Sequence, residues 1–368
     1  MATELNIKMD WLRSNQDRVL IAGPCSAESE EQVLETAAGV KQVNPNAIFR
    51  AGAWKPRTRP GLFEGRGEPA LQWLAKVKTD LGLRVTTEVA VPKHVELALK
   101  YGIDILWVGA RTTVNPFMVQ ELAEALRGTD IPVMVKNPLH PDLQLWIGGL
   151  ERFDKVGITQ LAAIHRGFYT FEHSEYRNVP RWELVYELKS LFPSLPLICD
   201  VSHIAGSTAL LQMVAQQAID LNLDGLMIET HRNPSVALSD AQQQVTPVQL
   251  KELLSLLITR NPGFTEEVIK NRMTGIRQKI DLLDQVLLKT LSDRMDLAKE
   301  IGELKKINNV SILQLDRWKE VIENCMLKAD QAGLYREFVR NIFIQIHDES
   351  IRIQSAILTG KEEEITRH

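Results

Sequence analysis

A (β/α)8 barrel followed by an all-helical domain is the architecture this sequence predicts. Three observations carry that reading. Short β-branched runs alternate with amphipathic segments eight times across residues 1–260. A turn signal at Asn261-Pro-Gly263 ends that alternation. Beyond it, apolar residues recur at three- and four-residue steps with almost no strand-like alternation.

The strand-like runs are Val19–Ala22, Ala47–Ala51, Arg84–Val89, Ile103–Val108, Pro132–Lys136, Leu161–His165, Pro196–Asp200 and Gly225–Glu229. Each leads into a polar or Gly/Pro-containing turn and then a helix-like segment. A doubly wound open sheet is the structural alternative to a closed barrel. The segment 261–265 reads as a linker, and 266–368 as a second domain. There Ile269, Met273, Ile276, Ile280, Leu283, Leu287 and Leu291 mark one face of a helix from about 266 to 307. So long a stripe needs a partner helix or a partner chain. Further helices are expected over 312–331 and 335–358, separated at Gly333.

Composition narrows the function classes. The 368 residues carry 43 Lys and Arg against 47 Asp and Glu, a net charge of −4 that offers no footprint for nucleic acid. No apolar stretch approaches the roughly 18–20 residues of a membrane span. Residues 1–12 are charged where a secretion signal needs an apolar core. The three cysteines, Cys25, Cys199 and Cys325, are far apart and odd in number, so a reducing cytoplasm is expected.

In a barrel of this type, functional residues lie at the C-terminal ends of the strands. In order, those ends read Gly23-Pro-Cys-Ser26, Arg50 through Lys55-Pro-Arg-Thr58, Glu88, Gly109-Ala-Arg111, Lys136-Asn137, His165-Arg-Gly167, Asp200-Val-Ser-His203 and Glu229-Thr-His231, with Asp240 beyond. Two groups emerge. Cys25, His203, Glu229 and Asp240 offer mixed S, N and O donors suited to a divalent transition metal. Arg50, Lys55, Arg57, Arg111, Lys136 and Arg166 would repel one another at one mouth unless anions filled it. Together they point to a metal-assisted reaction between small, multiply anionic substrates.

These ordered motifs resemble those of type I 3-deoxy-D-arabino-heptulosonate 7-phosphate (DAHP) synthases of the compact subtype, across residues 15–260. The resemblance implies that Cys25, His203, Glu229 and Asp240 bind the metal, with Mn2+ the first expectation and Co2+, Zn2+ or Fe2+ as alternatives. It further implies that Arg50, Lys55, Lys136, Arg111 and Arg166 hold phosphoenolpyruvate, with Lys55 catalytic. Arg57 and Thr58 would receive the phosphate of erythrose 4-phosphate. His165 stands where the subtype usually has an acidic residue.

In the helical half, Arg294 and Lys305 are eleven residues apart, which returns to nearly the same helix face. Gln314 and Trp318 are i,i+4 neighbours, as are Ser350 and Gln354. Arg277 lies seventeen residues before Arg294, roughly 25 Å along a helix at 1.5 Å per residue, too far to share one small ligand within a chain. The run Asp293 to Lys305, with Asp316-Arg317 and Asp348 to Gln354, resembles the all-helical chorismate mutases. That resemblance implies an intertwined homodimer. It places Arg294, and Arg277 from the second chain, on substrate carboxylates. It places Lys305 and Gln354 at the breaking ether bond, with Arg317 and Ser350 lining the pocket. Trp318 and Gln314 stand where many members carry Glu and Asp. No cofactor is expected there. A feedback role toward the barrel, sensing prephenate or chorismate, is a further expectation.

Overall fold

The computed structural model describes residues 5–8, 11–12, 18–56, 61–171, 174–260, 263 and 266–361. They divide into two compact units, Met1–Pro262 and Gly263–His368.

In the first unit eight parallel strands close into a barrel in sequence order. They are β1 (Val19–Gly23), β2 (Ile48–Arg50), β3 (Arg84–Val89), β4 (Ile105–Val108), β5 (Val133–Lys136), β6 (Leu161–His165), β7 (Leu197–Asp200) and β8 (Gly225–Glu229). Because β1 pairs with both β2 and β8, the open-sheet alternative is excluded. Eight principal helices follow the strands: α1 (Glu30–Val43), α2 (Glu68–Leu81), α3 (Pro92–Lys100), α4 (Pro116–Ala125), α5 (Leu143–Lys155), α6 (Trp182–Leu191), α7 (Leu211–Asp220) and α8 (Pro247–Leu256). Several start on side-chain caps that satisfy orphan backbone donors. Ser29 caps α1, Asn115 caps α4, Asp142 caps α5, and Thr246 with Gln249 forms a capping box on α8.

The strand register fixes which residues face the barrel axis. Ile21, Ile48, Ile105, Trp107, Met134, Ala162, Ile164, Ile198 and Met227 form one apolar cluster, closed from below by Leu12. Side chains alternate along a strand. The next inward position on each strand is therefore Gly23, Arg50, Gly109, Lys136, Arg166, Asp200 or Glu229, and Glu88 on β3 joins that layer beside Trp107. The interior thus changes from apolar to charged in one step at its C-terminal end. Gly23 is required there: at φ +146° it passes so close to β2 that a Cβ would lie 2.0 Å from the Arg50 carbonyl oxygen.

The second unit has three helices, α9 (Glu267–Ile307), α10 (Leu315–Gln331) and α11 (Arg336–Thr359). The helix expected from residue 312 starts only at Leu315, because Gln314 is extended and occupies the N-cap position. Ala298 and Gly302 of α9 are buried against α11. A Cβ on Gly302 would come within 3.0 Å of Ile357 Cδ1 and 3.3 Å of the Gln354 Cα, so glycine lets the two helices approach closely at this level. Met326 and Ala329 of α10 pack on Val339 of α11.

Candidate active sites

The barrel mouth holds a cavity of about 390 Å³ whose wall includes Lys55, Glu88, Arg111, Lys136, Arg166, Arg177, His203 and Asp240. Beside it, Cys25, Glu229 and Asp240 bring one potential ligand atom each to within 4.8 Å of one another. Cys25 Sγ stands 3.3 Å from Asp240 Oδ2. His203 lies beside this trio rather than within it, its Nδ1 3.8 Å from Glu229 Oε1. That Nδ1 is held 3.0 Å from Asp200, the kind of outer contact that orients a ligating imidazole.

This donor set fits a divalent cation. Burial, and then the Glu229 charge, push the Cys25 thiol up to about 12. Glu229 Oε1 is buried and accepts no hydrogen bond of good geometry, although Arg50 Nη2 is 3.2 Å away. Crowding two carboxylates on a buried thiol is costly without a positive ion, and a bound cation reverses that cost. Burial works against the Asp240 carboxylate too, yet Arg177, His203 and Lys55 hold its pKa well below the usual range.

Two of the cations flank Trp107. Arg50 and Lys136 sit 4.9 and 5.7 Å from its ring centroid, where the ring face favours positive charge. Its Nε1 donates to Glu88 at 3.0 Å. Lys136 Nζ meets Asp200 Oδ2 at 2.6 Å. Burial lowers the pKa of Lys136 despite that partner. Burial also brings Arg166 down to about 10. Its Nη1 donates to Asn178 Oδ1 at 2.7 Å, which aims the guanidinium. Lys55 Nζ donates to the Cys25 carbonyl at 3.2 Å. Arg57 and Thr58 lie outside the described residues.

Two features of this half escaped the sequence reading. Arg177, from the β6–α6 loop, is part of the cavity wall and pairs with Asp240 Oδ1 at 3.2 Å. His165, on the outward parity of β6, faces Trp182, Phe168 and Trp146 at centroid distances of 4.9, 5.8 and 6.4 Å. It therefore belongs to the layer between barrel and helices, not to the mouth. Neither ring nitrogen makes a well-formed hydrogen bond. Burial, and then the Arg166 charge, push its pKa down to about 3.

A pH effect follows. The unfolded chain protonates this histidine below about 6.5, whereas the folded one stays neutral down to about 3. Stability is thus full above about 6.5, declines by ~1.4 kcal/mol per unit as pH falls, and stops declining below about 3. His165→Phe is expected to lose about 2 kcal/mol of the acid sensitivity between pH 6.5 and 5, read by denaturant unfolding at both pH values. An identical acid sensitivity in the variant would show that the ring does not titrate in this way.

In the helical unit the spacing reading converges on one cluster. Arg294 Nη1 donates to Ser350 Oγ at 2.8 Å, and Lys305 Nζ donates to Gln354 Oε1 at 3.0 Å. Burial lowers the pKa of both cations. Trp318 stacks on His347 with centroids 4.0 Å apart, a partner the sequence reading did not identify. Three expected residues stand apart from the cluster within one chain. Arg277 is exposed far up α9. Arg317 is exposed and donates to Glu320 at 2.7 Å, one turn away on its own helix. Gln314 is exposed at the start of α10.

Comparison with known proteins assigns both halves. The family model described as DAHP synthetase I family matches residues 3–262, and that of chorismate mutase type II matches residues 276–355. Phospho-2-dehydro-3-deoxyheptonate aldolase of Thermotoga maritima is 30% identical over 235 residues, 64% of this chain and 67% of that protein. 2-Dehydro-3-deoxyphosphooctonate aldolase of Variovorax paradoxus is 28% identical over 287 residues, 70% of this chain and 96% of its own length. The crystal structure of the Thermotoga maritima DAHP synthase superposes with a TM-score of 0.60 at 28% identity, covering 67% of this chain and 70% of that one. The barrel, the order of its motifs and the matched span agree: the chain belongs to the DAHP synthetase I family, and a chorismate mutase type II domain follows its barrel.

Proposed function

We propose that the barrel condenses phosphoenolpyruvate with erythrose 4-phosphate and water, releasing phosphate, and that the helical unit rearranges chorismate to prephenate. The observation that carries the first reaction is a cationic cavity directly beside a thiol–carboxylate donor set. Lys136, Arg166 and Arg111 hold the phosphate and carboxylate of phosphoenolpyruvate, with Arg50 and Lys55 behind them. Arg57 and Thr58 take the sugar phosphate. Cys25, Glu229, Asp240 and His203 would hold a divalent metal, Mn2+ before Co2+, Zn2+ or Fe2+, which when bound would supply Lewis acidity at the aldehyde. The cations bring together two anions that otherwise repel, so that the methylene carbon of one faces the aldehyde of the other.

In the helical unit, Arg294 clamps a substrate carboxylate. Lys305 and Gln354 aim donors at the ether oxygen as charge develops on it, which needs no cofactor. Ser350 orients Arg294, and Arg317, Gln314 and Trp318 line the rim. The test is to assay the purified chain on both reactions, offering four-carbon and five-carbon aldose phosphates to the barrel. Preference for the five-carbon sugar would favour the activity named for the Variovorax paradoxus relative.

The same unit is the expected site of a homodimer. Ile276, Ile280, Leu283 and Leu287 of α9 are 46%, 50%, 62% and 60% exposed along one stripe. A patch of this kind marks an interface. A second copy would also bring Arg277 to the Arg294 cluster. The double variant Leu283→Glu/Leu287→Glu is expected to sediment as a monomer and to lose mutase activity with condensation retained. A dimer of unchanged strength would place the interface elsewhere. Among the described residues no helix is long and apolar enough to cross a membrane. Three free cysteines support a reducing, cytoplasmic setting.

A further inference from the structure

Glu229 and Asp240 each turn one oxygen away from the donor set. Asp240 Oδ2 faces Cys25 Sγ, while Oδ1 meets Arg177 Nη1 at 3.2 Å. Glu229 Oε1 accepts no well-formed hydrogen bond and has Arg50 Nη2 3.2 Å away, while Oε2 accepts from Gln243 Nε2 at 2.7 Å. The two outer contacts are themselves joined, because Arg177 Nη1 donates to Gln243 Oε1 at 2.6 Å. One amide thus links a carboxylate of the donor set to a cation of the cavity wall.

The local fold seats this amide. Gln243 is fully buried and ends a single 3-10 turn, Ala241–Gln243. That turn follows Asp240, whose backbone takes the left-handed conformation at φ 47°. Gly206 backs Arg177 on its other side: a Cβ there would lie 2.3 Å from Arg177 Cβ. An amide side chain donates to a carboxylate through its nitrogen and accepts from a guanidinium through its separate oxygen, without adding charge. The neighbouring Gln244 serves Cys25 separately, accepting from its backbone N–H at 3.0 Å. Changing Gln243 therefore leaves the anchor of the thiol loop in place.

We propose that Gln243 is a positioning residue that sets the rotation of Glu229 and the aim of Arg177, so that metal affinity and anion affinity at this mouth both depend on it. The proposal rests on reading Cys25, Glu229 and Asp240 as metal donors. Two variants of the full chain test it. Gln243→Met keeps the volume and removes both contacts. Gln243→Asn keeps the amide but shortens it by one methylene, so that it cannot span both partners. Three quantities are read: Co2+ affinity from the thiolate-to-cobalt charge-transfer band, phosphoenolpyruvate binding to the metal-free protein by calorimetry, and the thermal midpoint of the metal-free protein.

Both variants are expected to bind Co2+ about 10–100-fold more weakly. They should also bind phosphoenolpyruvate several-fold more weakly, with the metal-free midpoint within a few degrees of the parent. Unchanged Co2+ affinity in both variants overturns the proposal. So does a loss of Co2+ affinity accompanied by a collapsed metal-free midpoint in both, which marks simple destabilisation. Failure of the underlying reading has a different signature: the parent protein itself shows no charge-transfer band that disappears in Cys25→Ala, and the proposal falls with it.

Discussion

Cys25→Ala is expected to lower condensation by about a thousandfold and to leave the rearrangement of chorismate unchanged, and chelation of the parent protein should do the same. The size follows from the chemistry. A Lewis acid at a carbonyl supplies several kcal/mol of transition-state stabilisation. Losing ~4 kcal/mol of it is about three powers of ten in rate. Cys25 is the softest donor in the trio and lies fully buried, so alanine there leaves a gap that no neighbouring side chain is placed to fill. A second signature is a pH dependence of metal affinity. The metal-free thiol is held up at about 12 by burial and Glu229. Only the thiolate is a ligand, so binding releases a proton and tightens as pH rises, by up to about tenfold per unit. Dialysis against chelator, with both reactions assayed before and after readdition of Mn2+, checks the prediction. Undiminished condensation in chelated Cys25→Ala would end the metal reading.

The separation of the two effects is informative because the helical unit has its own chemistry and its own cluster. Arg294 meets Ser350, and Lys305 meets Gln354, between α9 and α11.

How much of this was legible beforehand depended on periodicity. Helical spacing brought Arg294 and Lys305 to one face and Ser350 and Gln354 to another, and the fold joins those faces where Gly302 lets the helices approach. Strand ends named most of the cavity wall for the same reason: a barrel puts them at one mouth. Parity within the strands was not legible. Strands buried on both faces read as continuous apolar runs, so Leu161-Ala-Ala-Ile-His165 does not show which face His165 takes. The register settles it, putting Ile164 with the interior cluster and His165 against Trp146 and Trp182. Arg177 and Gln243 could not be found this way, because loop residues carry no period. The only sequence signal is that Gln243 lies three residues after Asp240. Trp318 looked like a loss of a polar contact. Its stacking partner His347 lies on another helix, and no spacing rule connects the two.

Lys305→Ala is expected to lower chorismate rearrangement by about 10²–10³-fold with condensation unaffected, the loss typical of removing one donor from a developing oxyanion. Lys305 Nζ is shared between Gln354 Oε1 at 3.0 Å and the Ile312 carbonyl at 2.5 Å, so the fold already points its protons toward the Gln354 amide. Gln354→Ala should cost a similar amount, and the double variant little more, because in the proposed mechanism the two donors act on the same oxygen. Burial lowers the Lys305 pKa. A lysine is charged below its pKa, so mutase activity should be lost on the alkaline side, at a pH below the ordinary lysine value of about 10.4. Arg294→Ala removes the proposed carboxylate clamp and serves a second purpose. If the mutase pocket also senses prephenate or chorismate for the barrel, a ligand that favours one state of the chain shifts the activity of the other half. A coupling of ~1–3 kcal/mol would change binding by about 5–150-fold. Condensation measured with saturating prephenate should then fall in the intact chain and stay level in Arg294→Ala. Prephenate that binds the intact chain by calorimetry yet leaves condensation unchanged would reduce the helical unit to a second enzyme on the same polypeptide.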